Sequence, residues 1–304
     1  MLRIIRERLH QKYRTMRYPR GEPPALPDRF LGVPTLPAEP CPDGCRQCVD
    51  ACPTEAISLV GGTSPRGAGS HDAGPRKPGD RKPGDRKPGH YATVASKAGP
   101  VRLQMDLGRC IFCAECTAAC PEKVLSFSRD HRLAVRKREH LVVGPKDLER
   151  AKALGTDLRR LLGRALRLRQ VSAGGCAGCE LDANVLTTVG WDMGRFGIQF
   201  VASPRHADGL LVTGPVTANM RTALEKTWEA VPEPKIVIAC GACAISGGIY
   251  RRSPVTHDGV AGILPVDLFV PGCPPHPLTL LDGLLRLLGR IRDTAAGAKT
   301  PTSG

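Results

Sequence analysis

Cys110-Ile-Phe-Cys113-Ala-Glu-Cys116-Thr-Ala-Ala-Cys120-Pro121 sets three cysteines two residues apart and a fourth three residues further on, directly before a proline. This is the spacing that wraps a cubane [4Fe–4S] cluster: one short loop presents three thiolates to three irons, and the fourth cysteine serves a second cluster. The run therefore requires a partner elsewhere in the chain. Cys41-Pro-Asp-Gly-Cys45-Arg-Gln-Cys48-Val-Asp-Ala-Cys52-Pro53 supplies it. Scattered buried cysteines would not fall into two such runs.

Composition narrows the class further. The chain has 304 residues, enough for about two domains. Its 13 cysteines sit in clusters at short spacing, and no secretory signal opens the sequence, so metal binding in a reducing cytosol is expected rather than a disulfide framework. No apolar stretch reaches membrane-spanning length, which makes any membrane role peripheral. Aromatic residues are only 4% of the chain, which does not suggest base stacking, and no nucleic-acid partner is expected. Residues 171–304 hold 11 Lys+Arg and 11 Asp+Glu, so the whole net charge of +15 lies in the first 170 residues. Part of it belongs to a solvated linker.

Along the chain, residues 1–35 read as a basic arm. Leu2, Ile5 and Leu9 share one helical face among arginines, as in a short interfacial or partner-docking helix. A small cluster-binding α+β domain is expected over 36–140, with strands at Val124–Phe127 and Leu133–Arg136. It is interrupted at 61–100 by a Gly/Pro/Lys/Arg-rich insertion containing the repeat Arg76-Lys-Pro-Gly-Asp, Arg81-Lys-Pro-Gly-Asp, Arg86-Lys-Pro-Gly. That insertion has nothing to bury and is expected to be disordered. Residues 145–170 carry leucines at near-helical spacing with many arginines, predicting a helical linker across 141–170 that breaks near Gly155. From 171 to 295 strands, among them the apolar runs Gly209–Val212, Lys235–Ala239 and Leu268–Val270, alternate with helices, predicting an open, mostly parallel α/β sheet of doubly wound, flavodoxin-like form. Thr217 is a plausible cap for the helix that ends at Ala230. Residues 296–304 read as a disordered tail.

Five further cysteines lie in Gly-rich segments of this second part: Gly174-Gly-Cys176-Ala-Gly-Cys179-Glu180, Cys240-Gly-Ala-Cys243-Ala-Ile-Ser-Gly-Gly248 and Pro271-Gly-Cys273-Pro-Pro-His276. Two of these segments directly follow predicted strands, where open α/β sheets bind ligands. Glycines let backbone approach a bulky cluster and free amides to bond its sulfurs. Four of the five thiolates suffice for a third cubane. Spacing leaves the fourth ligand open between Cys240 and Cys243. Cys240 ends an apolar strand and fits a small buried hydrophobe, whereas Cys243 lies beyond the strand in the loop and is the preferred ligand. Structural zinc is the rival for this set.

These stretches carry a resemblance. Gly175-Cys-Ala-Gly-Cys-Glu180, Ser203-Pro-Arg-His-Ala-Asp208, Gly241-Ala-Cys243-Ala-Ile-Ser-Gly-Gly248 and Pro265-Val-Asp-Leu-Phe-Val-Pro-Gly-Cys-Pro-Pro275 resemble the small subunit of complex-I-related [NiFe] hydrogenases of the formate hydrogenlyase type. They also resemble the B subunit of NADH–quinone oxidoreductase. That component typically opens its site with two adjacent cysteines, and the separated pair Cys176-Ala-Gly-Cys179 is closer to the hydrogenase branch. Residues 36–140 resemble the two-cluster ferredoxin subunit of the same complexes, so two subunits look fused. The resemblance implies three [4Fe–4S] clusters. Cys41, Cys45, Cys48 and Cys120 would hold the first. Cys52, Cys110, Cys113 and Cys116 would hold the second, and Cys176, Cys179, Cys243 and Cys273 the third. One departure is the three-residue spacer Pro42-Asp43-Gly44 after Cys41, where two are usual.

The expected function is an electron wire, not catalytic alone, because the paired nickel-binding cysteine motifs of a large subunit are missing from this sequence. The expected partners are a hydrogenase large subunit or its complex-I-like homologue, and the membrane subunits of the same complex, on the cytoplasmic face of the membrane. A quinone-reducing complex is the first alternative, and a zinc-containing binding protein the second. Glu180 and Asp182 are candidates for proton movement or a helix-start contact. Arg205 and His206 are candidates for orienting groups near the cluster, and His276 reads as loop surface.

Overall fold

Alternation of apolar and polar residues builds the first half. The computed structural model describes residues 2–12, 14–37, 45–60, 102–144, 148–162 and 165–291. Helix α1 (Leu2–Gln11) precedes an arm that leads to strand β1 (Pro34–Thr35). Helix α2 (Gln47–Asp50) and strand β2 (Ile57–Val60) follow the first cysteine run. Strand β3 (Arg102–Asp106) leads into the second run, which continues as helix α3 (Glu115–Ala119). Strands β4 (Ser126–Phe127) and β5 (Val142–Val143) complete this unit. In β3 the alternation buries Leu103 and Met105 and turns Arg102 outward. Strands β2, β3 and β5 form an antiparallel sheet, with Met105 facing both Ile57 and Val143, and β1 pairs antiparallel with β4.

The second unit begins with helix α4 (Thr156–Leu162) and strand β6 (Leu166–Ser172). Helix α5 (Gly178–Val185), strand β7 (Ile198–Phe200) and strand β8 (Gly209–Thr213) come next. Helix α6 (Ala218–Ala230), strand β9 (Ile236–Cys240), helix α7 (Ala242–Ser246), strand β10 (Leu268–Val270) and helix α8 (Pro277–Leu287) complete it. The sheet order is β10-β9-β8-β6-β7 and every pairing is parallel. Strands β8, β9 and β10 are buried at every residue, which explains their unbroken apolar sequence: a parallel sheet is covered on both faces. Helix α8 is buried along its whole length, as expected of a helix that is apolar nearly all round. Its two charged residues neutralise each other, Arg286 Nε donating to Asp282 Oδ2 at 2.7 Å. The Tyr18 hydroxyl of the arm donates to the other oxygen of Asp282.

The two units are stitched by backbone. Val135 and Phe269 exchange both N–H···O bonds, at 3.0 and 2.8 Å, so the end of the first unit extends the sheet beyond β10. Beyond it, Ala151 N donates to Ala134 O at 2.7 Å and Leu154 N to Leu287 O at 2.9 Å, which lays the linker along α8. Side chains add Ser246 Oγ to Gly108 O at 2.8 Å, and Glu55 with Arg251 and Arg252.

The parallel α/β sheet behind a small cluster-binding unit is the expected architecture. Three local expectations change. Among the described residues, the helix read across 145–170 occupies Thr156–Leu162, and Leu166–Ser172 is an interior strand of the sheet. The alternation Leu166-Arg-Leu-Arg buries both leucines and turns Arg167 outward, a period of two that helical spacing had masked. The strand read at Leu133–Arg136 reduces to the single bridge at Val135. Thr217 stands at the N-cap of α6, but its side chain makes no capping hydrogen bond. The insertion at 61–100 and the residues from 292 onward lie outside the described residues, as does Cys41.

Candidate metal centres

The third set of cysteines gathers where three parallel strands end. Cys176 and Cys179 follow β6, at the start of α5; Cys243 lies on α7, just after β9; Cys273 follows β10. Strand β6 thus adds a third strand end to the two legible in the sequence, in keeping with the rule that open α/β sheets bind ligands at carboxyl ends. Cys176 and Cys273 are exposed, Cys179 and Cys243 are half-buried, and Cys240 is buried at 1% accessibility. Burial pushes the Cys243 thiol up to about 12, and the neighbouring Cys273, Cys179 and Cys176 push in the same direction. The thiol of Cys273 is raised by burial, then by Cys179 and Cys176. That of Cys179 is raised by a hydrogen bond with Cys240, by burial, and by the charges of Cys240, Glu180 and Cys176. Thiols that suppress one another's ionisation are relieved by a positively charged core bound among them, because coordination deprotonates a thiol outright.

Glycines shape the cradle. Gly241 has φ +92°, and a Cβ there would stand 2.5 Å from Cys179 Sγ. A Cβ at Gly248 would stand 2.8 Å from Cys243 Sγ. Both distances are shorter than non-bonded contact, so the sulfurs occupy space that only glycine leaves free. Donor chemistry, position and cradle all fit an iron–sulfur cluster.

In the first unit, Cys52, Cys110, Cys113 and Cys116 line one small pocket, with Met105 and Phe127 in its apolar wall. Backbone amides point at the sulfurs: Ala56 N to Cys52 Sγ at 3.2 Å and Phe112 N to Cys110 Sγ at 3.3 Å. Phe112 and Ala114 take positive φ of 55° and 65°, the conformation that curls the 110–116 loop. Burial pushes Cys110 up to about 12 and Cys116 up to about 11, with the other cavity thiols adding to both. Cys45 and Cys48 flank the start of α2, and Cys120 closes α3, which packs on α2. Cys41, the remaining cysteine of that set, lies outside the described residues.

Zinc fits less well. A zinc ion draws its sulfurs to about 2.3 Å from one centre. Among the described residues, no three Cys, His, Asp or Glu side chains converge closely enough to hold a single ion.

Other candidate residues resolve individually. Glu180 accepts a hydrogen bond from Thr213 Oγ1 at 2.6 Å, tying the start of α5 to the end of β8. Burial raises the carboxyl of Asp182, which lines a larger cavity of about 610 Å³. Ile111 and Phe112 of the second cysteine run and Cys273 and His276 of the third-site loop line the same cavity. Arg205 and His206 are exposed in a short turn. His276 is not loop surface. It is half-buried, its Nδ1 accepts from Leu278 N at 3.1 Å to cap α8, and its ring meets Phe30 and Trp191 edge-on. The Ser246–Gly108 and Tyr18–Asp282 contacts were not foreseen, because they join residues 138 and 264 positions apart.

Comparison with known proteins gives two family matches. The family described as NADH ubiquinone oxidoreductase, 20 Kd subunit, matches residues 176–287, and the 4Fe-4S dicluster domain matches residues 41–124. A probable membrane-bound hydrogenase subunit of Pyrococcus furiosus is 42% identical over 147 residues, 48% of this chain and 88% of that protein. Formate hydrogenlyase subunit 7 of Escherichia coli is 39% identical over 160 residues, 49% of this chain and 63% of that protein. The B subunit of NADH-quinone oxidoreductase from Heliobacterium modesticaldum is 42% identical over 122 residues, 40% of this chain and 70% of that protein. The chain therefore belongs to the family that unites these hydrogenase subunits with the B subunit of NADH-quinone oxidoreductase, here fused behind a 4Fe-4S dicluster domain.

Proposed function

We propose that this oxidoreductase subunit relays electrons through three [4Fe–4S] clusters to or from the catalytic subunit of a membrane-associated [NiFe] hydrogenase complex. When bound, the clusters supply one-electron transfer at potentials set by charge, hydrogen bonds to sulfur and exposure. Cysteines 41, 45, 48 and 120 would hold the first cluster, cysteines 52, 110, 113 and 116 the second, and cysteines 176, 179, 243 and 273 the third. Preference for Cys243 over Cys240 rests on Cys273, Cys179 and Cys176 all lying near enough to Cys243 to act on its thiol, while Cys240 is fully buried in its strand.

The observation that carries a relay is the seating of the second cysteine loop on the third site. Ser246, one helical turn beyond Cys243 on α7, donates to Gly108 O, two residues before Cys110. The protein's own work is to fix these loops against each other and to exclude water between them. The separated pair Cys176-Ala-Gly-Cys179 favours the hydrogenase reading. The complex-I-like alternative, a partner that reduces quinone, is supported by the match to the B subunit of NADH-quinone oxidoreductase.

No described helix is long and apolar enough to cross a membrane. We place the chain peripherally on the inner face of the cell membrane, next to membrane subunits of the complex. The deciding experiment is metal analysis of the complex isolated anaerobically through this chain. About twelve irons per chain, with near-stoichiometric nickel in a co-purifying subunit, is the expected result. Full iron without nickel transfers the reading to the quinone alternative, and iron well below that level overturns the three-cluster relay.

A further inference from the structure

A ten-residue helix standing alone in water is marginal, because its few hydrogen bonds barely offset the cost of nucleation. Helix α1 is in that position. Every one of its residues whose side chain is described is exposed, including Ile4 and Leu9 at 73% and Ile5 at 54%. Among the described residues no surface covers these groups, so the partner that stabilises the helix is sought outside the chain.

The sequence of the helix states the chemistry of that partner. Ile5 and Leu9 stand one turn apart on the same face. Arg3, Arg6 and Arg8 lie within the helix, Lys12 and Arg14 follow it, and Glu7 is the one acidic residue from 2 to 14. A narrow apolar strip within an excess of positive charge matches a surface that is anionic outside and apolar a few ångströms below. That is the headgroup layer of an anionic lipid membrane.

The arm behind the helix is tied to the body. Thr15 Oγ1 donates to Val189 O at 2.8 Å and Met16 N to Gly190 O at 3.0 Å. The Arg195 guanidinium donates to the carbonyl oxygens of Met16 and Tyr18 at 2.6 and 2.7 Å. The arm thus meets the body beside Val189, an apolar residue that is itself 62% exposed. Val189 lies just beyond the carboxyl end of α5, the helix that begins at the third cysteine site.

We infer that α1 lies in the plane of an anionic membrane surface with Ile5 and Leu9 inserted, and that the Thr15–Tyr18 anchor ties the body of the protein to that helix. This rests on the membrane-associated reading above and names the segment that makes the contact.

The test is flotation of the full, cluster-loaded chain with phosphatidylcholine vesicles, with and without phosphatidylglycerol. Binding to the anionic vesicles, little to the neutral ones, and loss at raised salt are expected. I5D/L9D and R3E/R6E should each lower the bound fraction about tenfold or more. Glu7→Gln should bind at least as well as the parent chain. Because these positions are exposed and belong to none of the proposed ligand sets, iron content and visible absorbance should be unchanged in all variants. Equal flotation with both vesicle types, or undiminished flotation of the double variants, overturns the inference. So does cross-linking of α1 to a protein subunit in the intact complex with no lipid contact. The two readings fail separately: metal analysis tests the relay, and flotation tests the helix.

Discussion

Ser246 and Gly108 meet across the join of the two units, the serine hydroxyl donating to the glycine carbonyl at 2.8 Å in a buried setting. One partner is a turn away from Cys243 and the other is two residues from Cys110, so this bond spans the gap between two proposed clusters. Ser246→Ala leaves the Gly108 carbonyl without this donor, at a cost of about 1–3 kcal/mol. The expected outcome is full iron content with a weakened magnetic interaction between the second and third clusters in EPR, and slower electron passage between them. Unchanged spin–spin splitting would mean that the bond does not govern their separation.

Gly241 should tolerate no side chain. Alanine there must adopt φ near +92° and place its Cβ against Cys179 Sγ. We expect Gly241→Ala to lose the third cluster selectively, about four irons, while signals from the first unit persist. Iron analysis with EPR checks this, and retention of all the iron would remove Gly241 from the cradle.

The buried hydroxyl of Tyr18 holds the arm to α8 through Asp282. Tyr18→Phe removes a hydrogen bond to a fully buried carboxylate, which costs roughly 1–3 kcal/mol. A lower unfolding temperature and faster proteolysis within residues 14–33 are expected. Wild-type protease resistance in the variant would show that the contacts of Thr15, Met16 and Arg195 suffice to hold the arm.

Asp130 should confer acid sensitivity. Burial raises its carboxyl, but hydrogen bonds and charge from Arg132, followed by the charge of Arg150, outweigh burial and hold it below the ordinary range. A lowered folded-state pKa stabilises the fold above the ordinary carboxylate value of about 3.9, and that stability is lost as pH falls through the folded value. The stability gap between the parent chain and Asp130→Asn should therefore be widest at neutral pH and close in acid. Thermal unfolding from neutral pH downward measures it; acid loss of clusters is common to both chains and drops out of the difference. A gap independent of pH would assign Asp130 a purely steric role.

Much of the chemistry was legible because cysteine spacing is a local signal. A loop that wraps a cluster takes its ligands a few residues apart, and the glycines beside Cys179 and Cys243 are visible in the same window. Strands β8, β9 and β10 were legible as unbroken apolar runs. Strand β6 was not, since Leu166, Leu168 and the leucines before them also fit a helical period, and only pairing with β7 and β8 decides between the two. His276 gave no sign of its capping role, because that role depends on the turn after Cys273 folding back onto α8. Contacts such as Ser246 with Gly108 are set by how the units dock, which no short window encodes.

The linker and arm that wrap α8 separate the unit of folding from the unit of redox chemistry. Leu154 binds the end of that helix, Tyr18 binds its middle, and Val135 covers the sheet edge beside it. A fragment starting at β6 would retain the third site's described cysteines but would leave leucines of α8 facing water, a surface prone to aggregation. Covalent joining also keeps the two cluster-bearing parts at a high effective concentration, independent of subunit supply. In such an arrangement, assembly of the relay cannot be diluted away.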